Sequence, residues 1–173
     1  MSTFIAFTIP KSAILQIQDT MRSYQGVLEK SVSQEKWHCT MLFLGNADLS
    51  AHAQEIITQP IRQSFHPVIT ILSLGEGKKQ GQLWAYVQIQ AFLHEIRREL
   101  MQRVEAAEIL LSTSEQTQEL VPHIHIGTLI LSSAGATVPD IPVKTVFSLP
   151  ELVLLKSNSD ASYEQLARIP ITP

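Results

Sequence analysis

One cysteine, Cys39, is all that this 173-residue chain contains. A lone thiol cannot close an internal disulfide, so cysteine usage gives no sign of an oxidising compartment. Long apolar runs are missing as well. None reaches the roughly 18 consecutive residues of a membrane-spanning helix, and no membrane role is expected. The first residues, Met1 to Lys11, have neither the basic segment nor the small-residue cleavage site of a secretory leader, so a cytoplasmic protein is expected. Nor is there an excess of positive charge. With 13 Lys and Arg against 16 Asp and Glu, the formal net charge is −3. A protein that grips a long phosphate backbone needs a basic surface. A small phosphorylated ligand, or only the end of an RNA, fits this charge better than a duplex.

What is present is ordinary for a globular protein: 45% hydrophobic and 17% charged residues, in a chain long enough for a real core. Thr3 to Ile9 is rich in β-formers and stops at Pro10. Lys11 to about Tyr24 carries Ile14, Ile17 and Met21 at helical spacing. A polar stretch, Gln25 to Lys36, leads to a strand from His38 to Leu44, closed by Gly45-Asn46. Ala53, Ile56, Ile57 and Ile61 suggest a helix that Pro60 kinks or ends. Val68 to Leu74 reads as a strand, and Gly75 to Gly81 as a loop.

The pattern then restarts. Leu83 to Gln90 reads as a strand, and Leu93, Ile96, Leu100 and Val104 mark one face of a helix. A polar connection, Ser112 to Glu119, precedes a strand from His123 to Leu131. Val143 to Phe147, Leu152 to Leu155 and Gln165 to Ile169 add short strands. Strand, helix, polar connection and His-bearing strand thus occur twice in the same order. The expected class is α+β. Residues 1–173 should form a single bilobal domain of two pseudo-symmetric lobes. Each lobe would be an antiparallel-rich sheet with helices outside, and one His strand from each would line a central cleft.

The two His strands carry the chemistry. His38-Cys39-Thr40 and His123-Ile124-His125 each set two polar residues two apart inside an apolar run. Alternation along a strand puts His38 and Thr40 on one face, and His123 and His125 on one face. Burying such pairs is costly unless they are bonded or used. Two facing histidines suit acid–base catalysis near neutral pH, one ring as base and the other as acid, with Thr40 and His125 donating to developing charge. A phosphodiester fits this arrangement, and neither metal nor cofactor is required. His-x-His also has the form of a zinc half-site, which would need a third ligand from His38 or Glu119. Cys39 should point into its lobe as a buried structural thiol. His52, His66 and His94 suggest surface or packing roles, Trp37 packing. Lys78 and Lys79 read as solvated loop charges, with contact to RNA phosphates as the functional alternative.

The segment His38-Cys39-Thr40-Met41-Leu42-Phe43-Leu44-Gly45 resembles the first His-x-Thr motif of the two-histidine (2H) phosphoesterases, within them the 2′-5′ RNA ligase and RNA 2′,3′-cyclic phosphodiesterase branch. Pro122-His123-Ile124-His125-Ile126-Gly127 occupies the place of the second motif. Phe4-Ile5-Ala6, Leu83-Trp84-Ala85, the run Leu152 to Ser157 and Tyr163-Glu164-Gln165-Leu166 extend the likeness over nearly the whole chain. His125 stands where that family has Thr, and Thr128 where a basic residue often follows. The resemblance implies a metal-independent enzyme that opens 2′,3′-cyclic phosphates at RNA or nucleotide ends to 2′-phosphates, with 2′-5′ ligation as a side activity. His38 and His123 would be catalytic, as acid and base in either order, while Thr40 and His125 bind the phosphate. RNA ends or a small cyclic nucleotide are the expected partners, and no obligate protein partner is indicated. Two other readings stay open: a phosphodiesterase acting on a small cyclic nucleotide or a 2′-5′ oligonucleotide, and a non-catalytic nucleotide- or RNA-binding module.

Overall fold

The computed structural model describes residues 1–47, 49–79, 81–130 and 138–173. In chain order its elements are β1 (Thr3–Thr8), α1 (Lys11–Met21), β2 (Leu28–Ser31), β3 (His38–Gly45), α2 (Ala51–Ile57), β4 (Ile61–Arg62) and β5 (Val68–Glu76). There follow β6 (Gln82–Val87), α3 (Ala91–Ala106), α4 (Thr113–Thr117), β7 (His123–Leu129), β8 (Ile141–Ser148), β9 (Glu151–Ser157) and β10 (Tyr163–Thr172). Short 3-10 turns occupy Arg22–Tyr24 and Gln34–Lys36. Among the described residues no helix is long and apolar enough to cross a membrane.

The fold is α+β, built on one large, mostly antiparallel sheet in the order β4-β10-β9-β1-β3-β7-β6-β5-β8. Among the described residues, only β4 and β10 pair in parallel. The twice-repeated sequence pattern becomes two equivalent hairpin-like units, β1 with β3 and β6 with β7, each bridged by a helix. Where the two halves join, β3 and β7 share a single bridging pair, Cys39 opposite Ile124. Farther along the same edge of β7, β2 takes over at Gly127 to Leu129.

One irregularity in β3 decides which side chains face where. Ala6 pairs with Thr40 and Ile5 with Leu42, so Met41 is skipped as a β-bulge. Cys39, Met41, Leu42 and Leu44 all enter the main core with Ile5 and Phe7. Phe4, Ala6, Val153 and Leu155 form a separate small cluster on the opposite face. Helices cover the core side, α1 through Ala13 and Ile17, α3 through Phe92, Leu93, Ile96, Leu100 and Val104. A buried arginine braces β3 from that side. Arg97 donates to the Met41 carbonyl at 2.6 Å and to the Glu115 carboxylate at 2.9 Å, and Glu115 in turn accepts the Phe43 N–H.

Several boundaries differ from the sequence reading for local reasons. The stretch Gln25 to Lys36, read as a polar connection, contains β2, an edge strand whose side chains are largely exposed. Ile61 lies in β4, because the helix ends at Ile57 ahead of Pro60. Gly75 and Glu76, read as loop, prolong β5 against Trp84 and Leu83. The strand read as Leu83 to Gln90 ends at Val87, and Thr113–Thr117 forms a short helix within the polar connection. Leu131, read as the end of the second His strand, and Gln80 in the glycine-rich loop lie outside the described residues.

Candidate active site

His38 and Thr40 on β3, and His123 and His125 on β7, converge on one small cavity of about 80 Å³, whose walls also include Val32, Lys36 and Tyr163. That is room for a few waters or one phosphate group, so most of any larger ligand would lie outside it. The register explains the convergence. An antiparallel pair centred on Cys39 and Ile124 turns those two side chains to the core and the flanking four to the other face.

The histidines are held in matching ways. His38 Nδ1 donates to the Lys36 carbonyl at 2.7 Å, and His123 Nδ1 donates to the Val121 carbonyl at 2.8 Å. A carbonyl only accepts, so in each neutral ring the proton sits on Nδ1. Nε2 is left as the nitrogen that can take or give a proton in the cavity. Each ring also lies against an aromatic from the neighbouring strand. His38 stacks on Phe4 with centroids 4.9 Å apart, and Tyr163 meets it edge-on at 5.1 Å. His123 stacks on Trp84 at 3.6 Å with an interplanar angle of 17°. Trp84 is itself fixed by its indole N–H bond to Gln82 and by Gly77, where any Cβ would fall 2.4 Å from the indole.

Burial pushes the pKa of both imidazoles below the usual histidine value, more than the carbonyl hydrogen bonds raise it. Neighbouring positive charge pushes the same way: His123 and His125 act on His38, His125 and Lys78 on His123. The resting rings are therefore biased to the neutral form, and an anion in the cavity would favour protonation. His125 is more exposed, and its Nε2 donates to the Gly127 carbonyl at 2.9 Å. It can offer a second donor to a ligand only when its Nδ1 is also protonated. The Thr40 hydroxyl makes no hydrogen bond among the described residues, although it lines the cavity.

Cys39 is fully buried with its thiol pushed up to about 12 by burial, which makes it inert as a nucleophile. Trp37 is buried and donates to the Val32 carbonyl. His52, His66, His94, Lys78 and Lys79 are exposed. Lys78 nonetheless lies close enough to act on His123. The zinc grouping of His123, His125 and either His38 or Glu119 is not formed: among the described residues no three such side chains gather as ligands. Sequence reasoning gave no site role to Lys36, to Tyr163 or to the stacking partners Phe4 and Trp84. Lys36 carried a readable signal, lying two residues before His38. The others reach the site only through strand pairing. A larger hollow of about 660 Å³ runs along α3 between Met101 and Leu111. Its walls include His94, Arg98, Glu105 and Glu108, and it contains neither His motif.

No protein-family model and no curated protein matches the sequence. Solved structures match over the full length. TT0787 of Thermus thermophilus is 17% identical, with 98% of this chain and 97% of that one covered and a TM-score of 0.73. E. coli LigT complexed with NADP+ is 20% identical, with 99% and 98% covered and a TM-score of 0.73. A structure described as a phosphoesterase is 19% identical, again with 99% and 98% covered and a TM-score of 0.73. The chain shares their fold at an identity where sequence comparison alone finds nothing.

Proposed function

We propose that this chain is a 2H phosphoesterase that opens 2′,3′-cyclic phosphates at RNA or nucleotide ends. The observation that carries the reading is the matched pair of imidazoles, each with Nδ1–H on a carbonyl and Nε2 left free beside a cavity sized for one phosphate. E. coli LigT, of the same fold, has been solved complexed with ATP, with 3′-AMP and with phosphate, which supports a phosphate-bearing ligand.

The reaction balances with these residues alone. Water attacks phosphorus while His123 Nε2 takes its proton. The bond from phosphorus to the 3′ oxygen breaks, and protonated His38 gives its Nε2 proton to that oxygen, leaving a 2′-phosphate. Proton exchange with solvent then resets both rings. With a 5′-hydroxyl in place of water, the same two transfers join its oxygen to phosphorus as the 3′ oxygen leaves, which is 2′-5′ ligation, and acid and base exchange roles when that link is cleaved. Thr40 donates to a non-bridging oxygen, as does His125 when protonated. Both proton transfers are met by imidazole, so the scheme requires no metal.

The experiment is a panel of cyclic-phosphate-ended oligonucleotides, cyclic mononucleotides and 2′-5′ oligonucleotides, incubated with the protein and EDTA and read by ³¹P NMR. Conversion of cyclic ends to 2′-phosphates is expected. Binding without turnover would point to a non-catalytic module, and turnover of 2′-5′ links alone to a sibling activity. Neither binding nor turnover of any member would remove the proposal.

A further inference from the structure

We propose that Lys36 is a phosphate-binding residue, its ammonium pairing with a non-bridging oxygen of the phosphodiester held between His38 and His123. The ligand's identity rests on the reading above; the placement of the cation does not. Lys36 precedes His38 by two residues and shares the face of His38 and Thr40, and its side chain forms part of the cavity wall. Its backbone is fastened from both sides. The Lys36 carbonyl accepts the His38 Nδ1–H, and its N–H donates to the Ser33 carbonyl at 2.9 Å. The next residue, buried Trp37, donates through its indole to the Val32 carbonyl at 3.0 Å. Val32 N–H in turn donates to the Ile126 carbonyl of β7 at 2.7 Å, which ties this turn to the other half of the sheet.

The side chain has no such tie. Lys36 is half-buried, yet among the described residues its ammonium makes no hydrogen bond, and no carboxylate lies within 4.0 Å of it. Asp160 and Glu35 are near enough to feel its charge, but the Asp160 carboxylate is occupied by the hydroxyl and N–H of Ser162, and Glu35 is turned to Ser33. The other groups at the cavity, His38, His123, His125 and Tyr163, offer no anion in their neutral forms. An ammonium without a partner at the cavity wall gains a charge-assisted contact when an anion arrives. Its position also suits the chemistry. As water adds to phosphorus, negative charge on the non-bridging oxygens grows while the proton on His38 departs, and Lys36 keeps a fixed positive charge throughout.

The test compares wild type with Lys36→Gln and Lys36→Arg. Calorimetry measures affinity for inorganic phosphate, kinetics measure KM and kcat on a 2′,3′-cyclic mononucleotide, and melting follows the fold. Losing one charge-assisted contact should weaken phosphate binding about 10- to 100-fold in Lys36→Gln, with a matching rise in KM. Lys36→Arg should recover most of this, and neither change should lower the melting temperature of the free protein. Phosphate binding by Lys36→Gln as tight as wild type would overturn the assignment while leaving the phosphodiesterase reading standing. So would a loss in Lys36→Gln that Lys36→Arg does not restore, or a variant that melts several degrees lower. A wild-type protein that binds neither phosphate nor the cyclic nucleotide would end both.

Discussion

Trp84 is the most informative residue to perturb, because it touches His123 and no substrate atom need touch it. It is 7% exposed, so truncation to alanine would cost about 3–5 kcal/mol, a large part of an ordinary domain's stability. Trp84→Leu keeps apolar bulk and removes the ring. The stacking interaction at 3.6 Å, worth about 0.5–1.5 kcal/mol beyond burial, is lost, as is the indole bond to Gln82, worth about 0.5–1.5 kcal/mol. A total of about 1–3 kcal/mol leaves a folded protein. His123 keeps its bond to Val121 but gains rotational freedom and water, so turnover should fall about 10-fold or more, within the ~100-fold that a misplaced group can cost. Burial is the largest cause of the lowered His123 pKa, so the variant's imidazole should titrate closer to the usual histidine value, upward from wild type. Trp84→Phe should behave nearly as wild type in both respects. NMR titration of the imidazoles beside steady-state kinetics reads both effects. A folded Trp84→Leu with unchanged His123 titration and unchanged turnover would refute the reasoning.

Arg97→Ala removes one member of a buried pair and leaves the Glu115 carboxylate and Met41 carbonyl behind β3 without their partner, so urea unfolding should show a loss of about 3–5 kcal/mol; a loss under about 1 kcal/mol would contradict the bracing role. His125→Thr removes a positive neighbour that pushes His123 down, so the low-pH limb of kcat/KM should move to higher pH while the variant stays active; an unmoved limb would show that His125 only fills space. Stability should also depend on pH. Because His38 and His123 resist protonation when folded and accept it freely when unfolded near pH 6.5, the unfolded chain binds more protons below that value. The urea midpoint should therefore drop between about pH 7.5 and 5.5, and a midpoint that rose on acidification would be inconsistent with these shifts.

Both half-sites were legible because a strand's alternation is local: His38 with Thr40, and His123 with His125, can be assigned to a face without knowing the sheet. Their junction was not legible. The single Cys39–Ile124 pair is a tertiary contact between segments far apart in sequence. The α+β class and the repeated order of elements followed from apolar spacing, but β2 did not, since an edge strand with exposed side chains carries no hydrophobic alternation. Phe4 and Trp84 read only as members of strand segments; that each is buried and supports a histidine follows once β1 lies beside β3 and β6 beside β7. Tyr163 begins the distant strand β10 and reaches His38 only because β9 and β1 carry the sheet across.

The proposed function assigns the two proton transfers of phosphodiester hydrolysis to His38 and His123. Its most direct test is the initial rate on a 2′,3′-cyclic phosphate substrate, with EDTA present, for wild type, His38→Ala and His123→Ala at matched folded concentration. Each substitution removes a general acid or base worth about 10²–10⁴-fold. Loss of that order in both variants, with the melting transition retained, is the predicted result. Near-wild-type rates in either folded variant would contradict the account.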